Sequence, residues 1–390
     1  MSDSPTSQPL AAELVEACQH RQNRLRQHLD AANADAVLLT HDRDIFYLTG
    51  FIGHDTFLLI WPDGAAIITD PRFDEQLDPW RHAPLGEVMM GVRHRLHETL
   101  GELCTRHGLS ALAIASEHTT LAQHETLAQT LPDVSLRPVR GLVATLRQCK
   151  DDLEVRRIEA AAALQVEALN AAWPALEEPG ITEQGFCARL EYEMKRRGAS
   201  GPSFSTIVAS GANSSVPHHE TGHTAIGPGT LLIDWGAHLN GYNSDMTRTF
   251  GIGAMPTRIR EIYQIVLDAQ FKAIEAIRPG VRCADIDAVA RNHITDAGYG
   301  EYFAHGLGHG LGLDVHEGPY FNPLATDVEL EPGMVLTVEP GIYLPGVGGV
   351  RIEDDVLVLD QGVRVLSSAP KELEQMTVES AAVSAGSTSR

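Results

Sequence analysis

Four carboxylates and one imidazole could do chemistry together: Asp234, Asp245, Glu339, Glu353 and His309. Asp234 ends the apolar run of LLIDWG, and Glu339 follows VLTV and precedes Pro340-Gly341. Asp245 lies in YNSDMTRTF, Glu353 follows Val350-Arg351-Ile352, and His309 lies in HGLGHGLGLDVHE. An acid at the end of an apolar strand is expected to be at least partly buried, and a buried carboxylate must be paired or metal-bound. Four such groups coexist only if cations neutralise them. An oxygen-rich set with one imidazole suits manganese, cobalt or iron at least as well as zinc.

Each residue also has a plainer reading, because a lone acid at a strand end is more often a surface or turn residue. His305 and His309 would share a helix face, but glycines at 306, 308, 310 and 312 argue against a helix, and the H-E-x-x-H pattern of a helical zinc site is absent. The same glycines lack the G-K-[ST] of a phosphate loop. What raises the odds is the joint occurrence of these signals in order.

The elements that must position them follow from periodicity. Residues 11–30 carry Leu14, Ala17, Leu25 and Leu29 at helical spacing. Ala36–Leu39 reads as a strand and Ile45–Tyr47 as an aromatic-rich segment. Thr56–Trp61 and Ala66–Thr69 read as a hairpin around Pro62-Asp63-Gly64. Helical stretches at 94–108 and 121–131 flank a short strand at Ala111–Ala115, so about the first 145 residues form an α/β domain. Beyond a boundary near 146–150, the sequence predicts helices over 151–174, Thr182–Gly198, Arg258–Ile277 and Ala284–Ala297. Residues 201–250 read as strands and turns, Met334–Val338 and Gly349–Val358 as strands, and 377–390 as a disordered tail.

At this point the chain resembles a known family. SGANSSVPHHE (210–220), LLIDWGAHLNGYNSDMTRTF (231–250), HGLGHGLGLDVHE (305–317), PGMVLTVEPGIY (332–343) and GVRIEDDVLV (349–358) are similar, in order, to the motifs of the methionine aminopeptidase/prolidase/creatinase superfamily, the M24-type metallopeptidases. IFYLTGF and ITDPRFDEQ resemble a creatinase-like N-terminal domain. The resemblance implies a mixed α/β (α+β) chain with a creatinase-like domain over 1–146 and a pita-bread catalytic domain over 150–376. Within the superfamily it is nearest to Xaa-Pro dipeptidases (prolidases) and Xaa-Pro aminopeptidases. It further implies two divalent ions, Mn2+ foremost, with Co2+, Zn2+ or Fe2+ as alternatives. Asp234 would hold one, Asp245 and Glu353 would bridge the two, and His309 and Glu339 would complete the second.

By the same resemblance, Glu339 would shuttle a proton, His218 and His316 would act on the scissile group and bind substrate, and His305 would line the substrate pocket; Tyr343 would bind substrate and, like Arg351, occupy a position that supports the site in proline-specific members. Arg351 would orient Glu353 or Asp245 as a supporting partner. His219, next to His218, reads as a flanking residue. Candidates for capturing a dipeptide's carboxylate are Arg43, His54 and Arg72. The implied reaction is hydrolysis of the peptide bond before proline, favouring Xaa-Pro dipeptides over longer proline-containing peptides. Rival readings are an aminopeptidase acting on longer peptides, a metal-dependent lyase on the same fold, and a metal-free binding scaffold. A homodimer is expected on the same ground.

The 390-residue composition is that of a globular protein, with 43% hydrophobic and 21% charged residues. A net charge of −22 repels phosphate backbones, which argues against a nucleic-acid partner. Five scattered cysteines without C-x-x-C fit a reducing compartment. With neither a secretory signal nor a long apolar run, the expectation is a cytoplasmic protein without a membrane partner.

Overall fold

The computed structural model describes residues 9–378 and divides into two compact units, Met1–Arg147 and Gln148–Arg390. The first unit is built on a six-stranded sheet in the order Glu87–Met90, Gly64–Thr69, Phe57–Trp61, Ala36–Leu39, Ala111–Ala115, Ser135–Val139. Ala36–Leu39 pairs antiparallel with Phe57–Trp61 and parallel with Ala111–Ala115. All four of its residues are buried, which is why it reads as an unbroken apolar run rather than an alternating one. Helices Leu96–His107 and Leu121–Thr130 bring Leu100, Leu103 and Leu127 into one core with Leu38, Leu59 and Leu112. Several elements here lie outside the sequence expectations, three of them bearing on the sheet and its flank. Asp42–Thr49 is a helix, and Glu87–Met90 and Ser135–Val139 are the two edge strands. Pro138 lacks the N–H a central strand would need, and an edge tolerates that.

The second unit mixes helices and sheets, the class expected. Helix Asp152–Ala172 opens with a capping box between Asp151 and Glu154, and Glu183–Arg196 is capped by the Thr182 side chain. With Thr257–Ala276 and Cys283–Asp296 they line a large apolar core. One sheet runs Thr377–Val378, Met246–Ile252, Gly229–Trp235, Ile207–Ser210; another runs Glu317–Phe321, Gly308–Gly310, Val335–Val338, Asp354–Val358, Val363–Val365. In Gly229–Trp235, Leu231, Ile233 and Trp235 join the core. The two-residue period of a strand then turns Leu232 and Asp234 to the opposite face.

The single strand expected over Gly349–Val358 is two. Gly348–Arg351 pairs with Gly341–Leu344, whereas Asp354–Val358 pairs with Val335–Val338. Between them, the Ile352 N–H donates to Pro340 O (3.4 Å) and the Glu353 N–H to Thr247 O (3.1 Å). Glu353 therefore sits where the chain leaves one sheet for another. Thr377–Val378 pairs in parallel with Gly251 and Ile252, so regular structure continues into the start of the expected tail. Residues 379–390 of that tail lie outside the described residues. Among the described residues, no helix is long and apolar enough to cross a membrane.

Candidate functional site

Asp234 and Thr247 are direct cross-strand partners, so their side chains share the face turned away from the helical core. Thr247 Oγ1 donates to Glu353 Oε2 at 2.6 Å, which brings in the residue at the sheet crossing. Two positions earlier, the Asp245 N–H donates to Asp355 Oδ2 at 3.1 Å. A second threonine works likewise on the other sheet. Thr337 Oγ1 accepts from the His309 N–H at 3.1 Å and lies 3.2 Å from Glu339 Oε1, to which it donates. The glycines around His309 permit this approach: a Cβ on Gly308 would stand 2.0 Å from Thr337 O, and one on Gly310 2.4 Å from Gly318 O.

The five side chains singled out from the sequence thus face one another across two sheets. They floor a cavity of about 870 Å³, which His218, His219, His305 and His316 also line. Asp245, His309 and Glu353 each offer a ligand atom within 4.8 Å of the others. His309 Nε2 lies 3.4 Å from Glu339 Oε1 and 3.7 Å from Asp245 Oδ2. Burial pushes the His309 imidazole down to about 4, so it is neutral near pH 7. Its Nδ1 lies 3.1 Å from Gly310 O, which assigns the proton to Nδ1 and leaves the Nε2 lone pair facing carboxylate oxygens.

Burial, and then the neighbouring carboxylates, push Asp245 and Glu353 well above the usual carboxylate range. Burial likewise lifts Glu339 to about 8, against the pull of Arg351. Asp234 Oδ1 is buried without a hydrogen-bond partner. A lone pair aimed at carboxylates, an orphaned carboxylate oxygen and crowded acids are the marks of a cavity that lacks positive charge on protein atoms alone. The donor set fits divalent cations.

The cation nearest this floor is Arg351, and its partners differ from expectation. Its Nη2 donates to Asp234 Oδ2 at 2.6 Å, and it reaches Glu353 only through Thr247, whose Oγ1 accepts from Nε at 2.9 Å. Nη1 donates to Tyr343 Oη at 2.9 Å and to Pro217 O at 3.2 Å. Burial works against this charge, but Tyr343, Asp234, Glu339 and Glu353 hold it above its ordinary value.

Tyr343 is not among the residues that line the cavity; it stands where a supporting residue is expected rather than a substrate-binding one. Buried behind the cavity, the hydroxyl accepts a hydrogen bond from Arg351 Nη1 and donates to His305 Nε2 at 2.9 Å. Burial pushes His305 down to about 4, and its Nδ1 lies 2.8 Å from Gly306 O, so what it offers the cavity is a neutral ring. His218 and His316 are exposed, and the His316 ring stands 4.3 Å from that of His309. Thr247, Thr337, Asp355 and His219 were not foreseen as parts of the site. Only the spacing of Thr247, one strand period after Asp245, hinted at any of them.

The first unit holds another group, His41, Asp44 and His118. The two rings stack at 3.8 Å and 8°, and Asp44 already accepts from Arg147 at 3.0 Å. Parallel stacked imidazoles cannot both aim in-plane lone pairs at one ion, so this group reads as structural. In the same unit, Arg72 is held by Asp70 (2.7 Å) and Asp55 (2.8 Å), and His54 Nδ1 lies 2.9 Å from Asp42.

Comparison with known proteins adds an independent line. Residues 156–360 match the model of metallopeptidase family M24, and residues 21–149 match the creatinase/prolidase N-terminal domain. The Xaa-Pro dipeptidase of Pyrococcus horikoshii is 35% identical over 352 residues, 90% of this chain and 97% of that protein. The solved structure of an Xaa-Pro dipeptidase from Bacillus anthracis superposes with a TM-score of 0.87 at 36% identity, covering 93% of this chain and all of that one. The X-Pro aminopeptidase of Thermotoga maritima superposes with a TM-score of 0.84 at 33% identity, covering 92% of this chain and all of that one.

Proposed function

We propose, from the premise that the chain belongs to metallopeptidase family M24, that it hydrolyses the peptide bond preceding proline and favours Xaa-Pro dipeptides. The observation that carries this reading is the convergence of Asp234, Asp245, His309, Glu339 and Glu353 on one cavity floor with too little positive charge among them. In this reading Asp234, Asp245, His309, Glu339 and Glu353 would together hold two divalent ions. The ions, when bound, supply Lewis acidity toward the carbonyl and toward water.

The chain's own groups do the rest. Glu339 takes a proton from the attacking water and delivers it to the prolyl nitrogen as the C–N bond breaks. His316 donates toward the carbonyl oxygen as negative charge develops there. His218 binds the substrate from the cavity wall, which the neutral ring of His305 also lines. Arg351 fixes Asp234 directly and Glu353 through Thr247, so the carboxylates are oriented before substrate arrives. The prolyl amide carries no N–H, so a site that selects it must read the ring by shape.

Chelation followed by readdition of Mn2+, Co2+, Zn2+ or Fe2+, with Gly-Pro as substrate, tests this function. Hydrolysis lost and restored is the expected result, Mn2+ restoring most. Activity indifferent to chelator overturns it. A second reading, aminopeptidase action on longer peptides, is favoured by the likeness to the Thermotoga enzyme; Gly-Pro-Ala cleaved far better than Gly-Pro selects it. We further propose a domain boundary between 146 and 150, testable by limited proteolysis, with the second domain running past 376 to take in Thr377–Val378. A cytoplasmic location is supported by five cysteines, all unpaired, and a homodimer by the resemblance, which sedimentation tests.

A further inference from the structure

We propose, building on the peptidase reading, that Glu183 and His219 are positioning residues that hold His218 in the cavity wall. Glu183 is the first residue of helix Glu183–Arg196 and is fully buried, with its carboxylate at the helix's positive end. Four donors converge on it. Oε1 accepts from the Ser210 N–H (2.7 Å) and Asn213 Nδ2 (2.8 Å), and Oε2 from His219 Nε2 (2.9 Å) and the Gly222 N–H (3.3 Å). The backbone joins in: the Glu183 N–H donates to Thr224 O at 2.9 Å and the Gln184 N–H to Gly222 O at 2.8 Å. Segment 210–224, which carries His218, is thus tied at both ends to the start of one helix.

A second anchor holds its middle. Pro217 O accepts from Arg351 Nη1 at 3.2 Å, and the His219 N–H donates to Val216 O at 3.1 Å. His218 therefore stands between a residue fixed by Arg351 and a residue fixed by Glu183. An exposed histidine on an untied loop would spread over many orientations, and misplacement by about 1 Å can cost roughly a hundredfold in rate. Burial pushes the Glu183 carboxyl up, yet these donors hold it below the usual range, which keeps it an acceptor for all of them. Glu183 touches no reacting atom in this scheme; it acts through His219.

The test compares His219→Ala and His219→Gln with the wild-type holoenzyme, because glutamine can again present an N–H to Glu183. Steady-state hydrolysis of Gly-Pro, metal content, melting temperature and deuterium uptake over 211–222 are measured on each. The expected result is that H219A loses roughly ten- to hundredfold in kcat/KM, chiefly through kcat. Its uptake over 211–222 rises and its melting temperature falls by only about 2–6 °C, the loss of one buried hydrogen bond, while metal content stays at the wild-type value. H219Q recovers both activity and protection. The proposal is overturned if H219A keeps wild-type kcat/KM, if its uptake is unchanged, or if its loss comes with lost metal or a melting drop well beyond one hydrogen bond and glutamine does not restore it. Should wild-type protein leave Gly-Pro intact, the peptidase reading fails separately, and deuterium uptake alone decides the anchoring.

Discussion

Arg351→Lys separates the shape of the arginine fork from its charge. The guanidinium serves four acceptors at 2.6, 2.9, 2.9 and 3.2 Å, on Asp234, Thr247, Tyr343 and Pro217. A single ammonium on a lysine stem can keep one or two of these. Losing two or three buried hydrogen bonds at roughly 1–1.5 kcal/mol each gives about 3 kcal/mol. For a unit of this size that corresponds to a fall of about 6–12 °C in melting temperature. Loosening the carboxylate that Arg351 orients is expected to lower kcat/KM for Gly-Pro about 10–100-fold. Arg351→Met, which also removes the charge, leaves Asp234 buried without its partner and costs about 3–5 kcal/mol in chelated protein. Calorimetry of both variants with and without Mn2+, beside their kinetics, measures the two contributions. If R351K melts within about 2 °C of wild type and keeps kcat/KM within about twofold, the fork has no orienting role and the reasoning fails.

Other predictions rest on separate features. Gly308→Ala places a methyl 2.0 Å from Thr337 O, so the strand bearing His309 must move. A loss of about 1–3 kcal/mol with weakened metal retention is expected in a urea titration with metal analysis, and an unchanged midpoint contradicts the close-approach account. Asp70→Asn tests the first unit, where the Arg72 hydrogen bond, opposed by burial, draws the Asp70 carboxyl from 3.8 down to about 2. A depressed acid stabilises above its unfolded pKa and ceases to as pH falls through its folded one. D70N should therefore be less stable than wild type at pH 7, with the gap closing between about pH 4 and 2; a gap independent of pH rules the ion pair out.

Two of the cavity acids were legible because each stands beside an apolar strand run, a pattern that two-residue periodicity turns into a face. Asp234 and Glu339 are of this kind. The path of Glu353 was not legible: VRIEDDVLV reads as one strand, and nothing local marks the point at which pairing passes from Gly341–Leu344 to Val335–Val338. For the same reason Arg351 was assigned to nearby Glu353 or to Asp245 rather than to Asp234, its long-range partner. His219 was set aside as a neighbour of His218 because its partner lies 36 positions away. The edge strands Glu87–Met90 and Ser135–Val139 were missed because an outer position tolerates Glu and Pro and blurs the apolar signal.

The crossing at Ile352–Glu353 has a consequence for biosynthesis. About half of the second unit lies between Asp234 and Glu353 and must be made before the last acid can meet the first, and no shorter piece contains the whole group. A ribosome-bound chain that has not yet emerged past this point has no completed floor, so hydrolytic capacity arrives late, with closure of the second sheet.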